Sequence, residues 1–357
     1  MALLRLEGFE GFGTTTGSGG AAAVKAGLQA KYTTSLVSGS GPRIWPGWGS
    51  GYCATFGPDT SADNNYILIP FGSSLSTVYC GFAFRPRKNI VNPAFLFGMW
   101  NSGSSVYHTI CWLVDNSTLA VRLYDGSTQP ISTATVAYNA CRQGCWTYIE
   151  YKVVIHDTTG SVSIRINGIE IFNVGSLDTK YGNSTDASHL KLFGVNGDSD
   201  TQDGCNCFDD VYIDSSEFLG PIHIEQILPD GDTADEDWAC SAGSDSFALI
   251  NENPKDDDTT YISSATTTDK TLCDMGALAY LAANIKGLQV NVACKVDTGT
   301  VNLIPKIKSG ASEGTGATRG VSSTSYITEA AVFETDPADG AWTPTTINTM
   351  LTGVEVG

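Results

Sequence analysis

Serine in a glycine-flanked turn, paired carboxylates, clustered thiols and neighbouring indoles are the residue types in this chain that could do chemistry. Gly310-Ala-Ser-Glu-Gly314 has the G-x-S-x-G spacing of serine hydrolases. That chemistry needs the serine on a tight turn between a strand and a helix, with a base beside it. Here the motif lies in a Gly/Ser-rich stretch, Ser309–Gly320, between two strand-like runs, so it reads as a chance match. Glycoside cleavage needs two carboxylates converging on one bond, and on a strand such a pair must sit at i, i+2 or i, i+4 to face the same way. No Glu-x-Asp-x-x-Glu run occurs, and Glu7 and Glu10 are an odd number of positions apart. The expectation is that the chain has no catalytic residues and is not an enzyme.

Metal chemistry has equally little support. His108, His156, His189 and His223 are scattered without ligand-like spacing. The acidic groups Asp198-Ser-Asp200 with Asp203, Asp230-Gly-Asp232 with Asp235, and Asp256-Asp-Asp258 could supply oxygens to calcium, which takes about six to eight of them. None has the glycine and terminal glutamate of a helix-loop-helix calcium loop, so they read as solvated turns. Asp209 and Asp210 are assigned to a closing strand. No metal and no cofactor is expected.

The indoles and thiols are harder to dismiss. Trp45-Pro-Gly-Trp48 could stack a pyranose ring on an apolar face, making Trp45 and Trp48 candidate glycan contacts, or it could cover the edge of a sandwich. Seven cysteines fall before residue 220 (Cys53, Cys80, Cys111, Cys141, Cys145, Cys205, Cys207) and three after it (Cys240, Cys273, Cys294). Both counts are odd, so either some thiols stay free or a bridge crosses between domains or subunits. Cys80 and Cys111 sit in apolar runs and suit burial. Cys141 and Cys145 have a spacing that zinc sites use, but Cys205 and Cys207 do not.

The elements that must hold these groups are strands. Trp146–His156 alternates, a polar turn follows at Asp157–Gly160, and two further alternating runs meet at Asn167-Gly168. Asn-Gly suits a tight hairpin because both central residues need positive φ. Further strands are expected at Leu3–Leu6, Tyr52–Phe56, Tyr66–Pro70, Thr77–Pro86, Ala94–Trp100, Tyr107–Val114, Leu119–Tyr124, Leu190–Val195 and Phe208–Ile213, with residues 13–23 a low-complexity loop. This pattern predicts a two-sheet jelly roll over residues 1–219. A fresh alternating run begins at Ile222–Leu228, so a second, smaller β-sandwich is expected over residues 220–357. Its strands are expected at Ser246–Ile250, Thr259–Ser263, Ile285–Lys295, Val301–Ile307 and Tyr326–Glu334. One helix is expected after Thr343-Pro344, ending at Gly353.

Composition supports an all-β reading: 39 Gly in 357 residues and only 16% charged residues. A net charge of -18 argues against nucleic-acid binding, which needs clustered Lys and Arg. No apolar run reaches the roughly 18 residues of a membrane span. The start, Met1-Ala-Leu-Leu-Arg-Leu-Glu7, lacks the features of a signal peptide, so synthesis in a cytoplasm without export is expected.

Several of these segments taken in order resemble a family: bacteriophage virion proteins with an N-terminal LamG-like, concanavalin-type jelly roll. The similar features are Met1–Glu10, the Trp146–Phe172 meander, Phe208-Asp-Asp-Val-Tyr-Ile213, Ile224–Asp232, Asp256–Tyr261, Ile285–Asn291, Phe333–Pro337 and Trp342-Thr-Pro344. The resemblance implies a structural component of a virus particle, on the tail, a fibre or the capsid surface. It implies assembly with other virion proteins, homo-oligomerisation and adhesion, with a host-surface glycan as the alternative partner. The cysteines and the Trp-rich loop depart from the family pattern. A particle assembled in a reducing cytoplasm can oxidise after release. Cys141, Cys145, Cys205, Cys207, Cys240, Cys273 and Cys294 are therefore the candidates for disulfide cross-links, with at least one bridge expected between subunits.

Overall fold

The computed structural model describes residues 2–13, 21–35, 42–49, 51–56, 66–87, 94–115, 118–124, 130–137, 141–194, 206–280, 284–338 and 340–357. They divide into two compact units, Ala2–Ile224 and Glu225–Gly357. The fold is all-β, a jelly-roll sandwich followed by a smaller sandwich.

In the larger unit an eight-stranded sheet runs in the order Ile169–Leu177, Gly160–Ile166, Thr147–Val154, Thr77–Pro86, Asn206–Asp214, Tyr52–Phe56, Arg43–Pro46, with Leu3–Glu7 also paired to Asn206–Asp214. The facing seven-stranded sheet runs Pro130–Ala137, Thr118–Tyr124, Val106–Asp115, Ala94–Asn101, Ala187–Phe193, Tyr66–Leu75, Thr33–Ser35. Alternate residues of each sheet meet in a shared core. Phe82 and Tyr151 of the first sheet contact Phe97 of the second at ring separations of 5.2 and 5.0 Å, both edge-on. Such pairs add to stability beyond the area they bury.

The hairpin expected at Asn167-Gly168 is present, with φ of 50° and 80°. Asn167 also ties the turn to the next strand: its N–H donates to the Tyr148 carbonyl at 2.8 Å and its Oδ1 accepts from the Tyr148 N–H at 2.9 Å.

Part of the stretch read as a loop over residues 13–23 is instead the start of a helix, Ala21–Lys31. Alanine is the best helix former, and Val24 and Leu28, four apart, are buried against the core on one face. Arg43–Pro46 and Pro130–Ala137 are strands that short or polar sequence concealed.

The smaller unit has a six-stranded sheet in the order Pro229–Glu236, Lys270–Met275, Leu351–Val356, Val301–Ser309, Ser312–Thr315, with Arg319–Val321 also paired to Val301–Ser309. A separate ladder joins Leu288–Cys294 to Ile327–Phe333. Ile307 of the sheet and Ala331 and Phe333 of the ladder share one buried cluster with Trp342, Ile347 and Met350. The expected helix is there but short, Pro344–Ile347. Thr343 caps it: its Oγ1 accepts the Thr346 N–H, while its own N–H donates to the Thr346 hydroxyl.

Other expectations for this region need correction. Ser246–Ile250 holds a 3-10 turn, Phe247–Leu249, and Ile222–Leu228 forms no strand. Thr259–Ser263 reduces to the two-residue Ile262–Ser263.

Candidate functional site

The outward side of the seven-stranded sheet carries a row of aromatic rings with two cations among them. Strand alternation accounts for most of it. Leu190 and Leu192 point into the core, so Lys191 and Phe193 point out; Leu119, Val121 and Leu123 are buried in the core, so Arg122 points out. Trp112 stands opposite to Cys111 and Leu113 in the same way, and Tyr66 opposite to Ile67 and Ile69.

Two β-bulges bring further rings to the row. Between Ala94–Asn101 and Val106–Asp115 the register slips once at Phe95/Phe97 and again at Met99/Trp100, where His108 has no opposite residue. A bulge re-aims the side chains beyond it. Phe95 is turned onto Trp112 and Phe193, at 5.8 and 5.5 Å, and Tyr107 onto Trp100 at 4.4 Å. Gly98 makes room, because a Cβ there would lie 3.2 Å from the Tyr107 ring.

Lys191 reaches into this group. Its ammonium lies 3.7 Å from the Tyr66 centroid, 4.9 Å from Phe193 and 5.0 Å from both Trp100 and Tyr107, and it donates to the Tyr107 hydroxyl. The Arg122 guanidinium sits 3.2 Å from the centre of Trp112. A cation on a ring face is worth about 0.5–2 kcal/mol depending on desolvation. Tyr66, Phe95, Trp100, Tyr107 and Trp112 are all half-buried. The arrangement offers apolar ring faces beside hydrogen-bond donors, which is the combination that binds sugar rings.

Trp45 and Trp48 are not part of this row; Trp45 belongs to the eight-stranded sheet and Trp48 to the turn that follows its strand. Trp48 packs on Tyr148 at 5.1 Å and its N–H donates to Asp209 Oδ2 at 2.6 Å. Trp45 is in the edge strand, its ring 3.8 Å from the Arg87 guanidinium.

Asp209 and Asp210 sit at another bulge, where Asp210 has a φ of 48°. Asp209 Oδ1 accepts the Asp210 N–H, and Asp210 Oδ1 accepts the Ile224 N–H at 2.7 Å with its Oδ2 3.1 Å from His223 Nδ1. Tyr148 donates its hydroxyl to the Asp210 carbonyl at 3.0 Å. Both acids thus fasten the closing strand to neighbouring main chain. Burial pushes Glu10 up to about 9, helped by the charges of Asp210 and Glu7. Burial and Asp210 likewise push Asp209 upward.

His108 meets a carbonyl with each ring nitrogen, Thr179 at 3.1 Å and Asp186 at 2.9 Å, and burial lowers its pKa. The Tyr181 N–H also approaches Nδ1, at 3.4 Å. Ser184 Oγ is 3.3 Å from Nε2 and donates to the Asp186 carbonyl at 3.3 Å. A cleft of about 410 Å³ beside it is lined by Asn101, Ser104, Tyr181 and Asp186 among others. Ser312 of the G-x-S-x-G motif stands on a β-hairpin, paired with Ser309, not on a strand-to-helix turn.

Among the described residues nine cysteines are free thiols; Cys205 lies outside them, as do Asp198, Asp200 and Asp203. Cys141, Cys207 and Cys273 are buried. Cys145 is exposed, and Cys240 and Cys294 are partly so. No group of three or more His, Cys, Asp or Glu among the described residues is placed to hold a metal.

No protein family and no curated protein matches the chain by sequence. Solved structures do match by shape. The chain is similar to the alginate lyase Aly36B at 11% identity and a TM-score of 0.42, over 62% of this chain and 100% of that one. It is similar to an endo-beta-1,4-glucuronan lyase from the fungus Trichoderma reesei at 11% identity and 0.38, over 52% and 94%. A carbohydrate esterase from the Shiga toxin-encoding bacteriophage phi24B is similar at 11% and 0.38, over 53% and 93%. At such identities the likeness is one of fold. It corrects the expectation that the chain is not an enzyme: the sandwiches found similar are described as lyases and an esterase, so lacking a paired-carboxylate motif does not exclude activity.

Proposed function

We propose that this chain is a component of a bacteriophage particle that contacts surface glycan through the outward face of its seven-stranded sheet. The observation that carries the glycan reading is the row formed by Trp112, Phe95, Phe193, Tyr66, Tyr107 and Trp100 with Arg122 and Lys191 set on the rings. Trp112, Phe95, Tyr66, Tyr107 and Trp100 are half-buried and cover the apolar faces of pyranoses, Arg122 donates to hydroxyl or carboxylate oxygens, and the buried Phe193 and Lys191 hold the rings in place. The virion reading rests on the ordered sequence resemblance along nearly the whole chain. It carries homo-oligomeric assembly with other virion proteins, since repeated copies turn weak glycan contacts into firm attachment.

The test uses the full chain against an array of bacterial surface polysaccharides. Wild-type protein is expected to bind, and Trp100→Ala and Trp112→Ala to weaken binding at least about tenfold, as loss of an aromatic anchor does, with thermal unfolding little changed. Unchanged binding by both variants would remove the glycan site. Mass spectrometry of purified particles tests the virion assignment separately.

A further inference from the structure

Arg122 stands on the Thr118–Tyr124 strand of the seven-stranded sheet, and the positions around it in register carry no charge. Ile110 is opposite it on one neighbouring strand and Thr133 on the other, and two places along its own strand lie Ala120 and Tyr124. Among the described residues its guanidinium has a single interaction, the stack on Trp112 at 3.2 Å. Its Nε is covered and has no hydrogen-bond partner among the described residues, and the same holds for the Trp112 indole N–H. The side chain as a whole is only partly buried, so its two terminal nitrogens are the donors left at the surface. In a chain of net charge -18, a cation without an acidic neighbour differs from the ion-paired lysines of the smaller unit, such as Lys306 with Glu313 and Glu355. A partly desolvated charge with no counter-charge is costly until an anion reaches it.

We infer, resting on the glycan reading above, that the glycan is an acidic one and that Arg122 reads its acid: a sugar carboxylate, as in a uronic acid, takes the fork of the Arg122 guanidinium. Trp112 holds that guanidinium in plane, so its terminal N–H groups leave edge-on, in the geometry that matches the two oxygens of a carboxylate. Such a charge-assisted pair is about twice as strong as hydrogen bonds to neutral hydroxyls, and this favours the acid over a neutral sugar at the same place. Lys191, the other cation of the row, does not compete for it. It is buried, and its ammonium is set among Tyr66, Phe193, Trp100 and Tyr107, donating to the Tyr107 hydroxyl. The acid is therefore read at the Trp112 end of the row, while the Trp100 end takes ring faces irrespective of charge. The acidity of the rest of the chain does not prevent this, because at physiological ionic strength charges more than about 8 Å away are largely screened.

The experiment titrates the full chain with a panel of bacterial polysaccharides that contain uronic acids, each paired with its carboxyl-reduced form made by carbodiimide activation and borohydride. Wild type is expected to bind the acidic member of at least one pair about tenfold tighter than the reduced member, as a charge-assisted pair of hydrogen bonds provides, with a difference that shrinks in added salt. Arg122→Met, which keeps an apolar stem on Trp112, should bind both members alike. Arg122→Lys keeps the charge without the fork and should retain only part of the preference. Trp100→Ala should weaken both members by the same factor. Wild type that binds the acidic members no tighter than the reduced ones overturns the acidic class and leaves the glycan reading standing, and a preference undiminished in Arg122→Met removes Arg122 from the role. Wild type that binds no member of any pair overturns the glycan reading and the acidic class together. If Arg122→Met does not fold, the wild-type comparison and the Arg122→Lys ratio still decide.

Discussion

The phenol of Tyr212 donates to Oε1 of Glu150 at 2.7 Å, across an intervening strand that offers no side chain in the way. The intervening residue is Gly81, where a Cβ would come within 2.3 Å of the Tyr212 ring and 3.0 Å of Tyr148. The same Glu150 oxygen accepts the Gly220 N–H at 2.9 Å, and the Tyr212 oxygen accepts the Leu219 N–H at 3.1 Å. A glutamate with no accessible surface is thereby held by a tyrosine and by main chain folded over the sheet. Removing one partner of a buried charged group costs about 1–3 kcal/mol. Tyr212→Phe is expected to lose that much in urea unfolding, and Gly81→Ala at least as much, because rings without free volume must move. A Gly81→Ala chain as stable as wild type would contradict the packing described.

The acids around the Asp209–Asp210 bulge predict an unusual pH dependence. Glu10 is raised from its ordinary value to about 9, so the folded chain keeps a proton that the unfolded chain releases above about 4.5. Stability from this group is complete below that ordinary value and is lost as pH rises toward 9. His108, lowered by burial, acts in the opposite direction as pH falls. The clean readout is therefore a difference. Glu10→Gln should match wild type in melting temperature near pH 4 and exceed it increasingly up to pH 9. A constant difference across that range sinks the assignment.

In the smaller unit the sign reverses. A hydrogen bond from Lys308, with Lys270 nearby, holds Asp235 below its usual range, and Lys270 and Lys306 hold Glu313 down despite its partial burial. Lowered carboxyls contribute stability that is present above their ordinary values and lost as pH falls through the folded ones. Acid titration should therefore weaken this unit, and Lys308→Met should reduce that acid sensitivity. These pairs are partly exposed, so added salt should shrink the effect.

Much of the fold could be read from sequence because alternation and turn chemistry agree locally. Tyr52–Phe56 and Thr77–Pro86 appear with the expected ends, and Asn167-Gly168 turns as expected. Pro229–Glu236 was hidden because Pro-Asp-Gly-Asp reads as a loop; pairing with Lys270–Met275 makes it a strand. The aromatic row was hidden for a different reason. Strict alternation places Phe95 with Phe97 and Tyr107 with Cys111, on the core side, and only the two bulges reverse them. Nothing in one sequence marks a bulge. The alternation of Lys191 and Phe193 against Leu190 and Leu192 was a usable signal, as was Val24 to Leu28 for the missed helix.

The Thr343 capping box predicts a local effect. Thr343→Ala removes an acceptor for the Thr346 N–H and should cost about 1 kcal/mol, as N-cap losses do. Ser at this position should restore most of it. Because Ile347 and Met350 follow directly and share the Phe333 and Trp342 cluster, the loss should appear in the cooperative unfolding of the smaller unit and not only as fraying. Hydrogen exchange at Ile347 and Met350, compared between Thr343→Ala and Thr343→Ser, checks this.

His108 joins the architecture of the larger unit to the proposed glycan face. It is the bulged residue that turns Tyr107 outward, and its ring lies between the carbonyls of Thr179 and Asp186 on the neighbouring loop, donating to one of them. His108→Ala leaves one buried carbonyl without its donor, at a cost of about 1–3 kcal/mol, and removes the ring that holds the bulge in place. A relaxed register would carry Tyr107 away from Trp100 and Lys191. The variant is therefore expected to lose polysaccharide binding about as strongly as Trp100→Ala, although His108 is buried and touches no ligand. His108→Asn, which can still donate to one carbonyl, should recover part of both stability and binding. Wild-type affinity in His108→Ala, in a chain measurably less stable, would separate the bulge from the binding face and leave Tyr107 without a part in recognition.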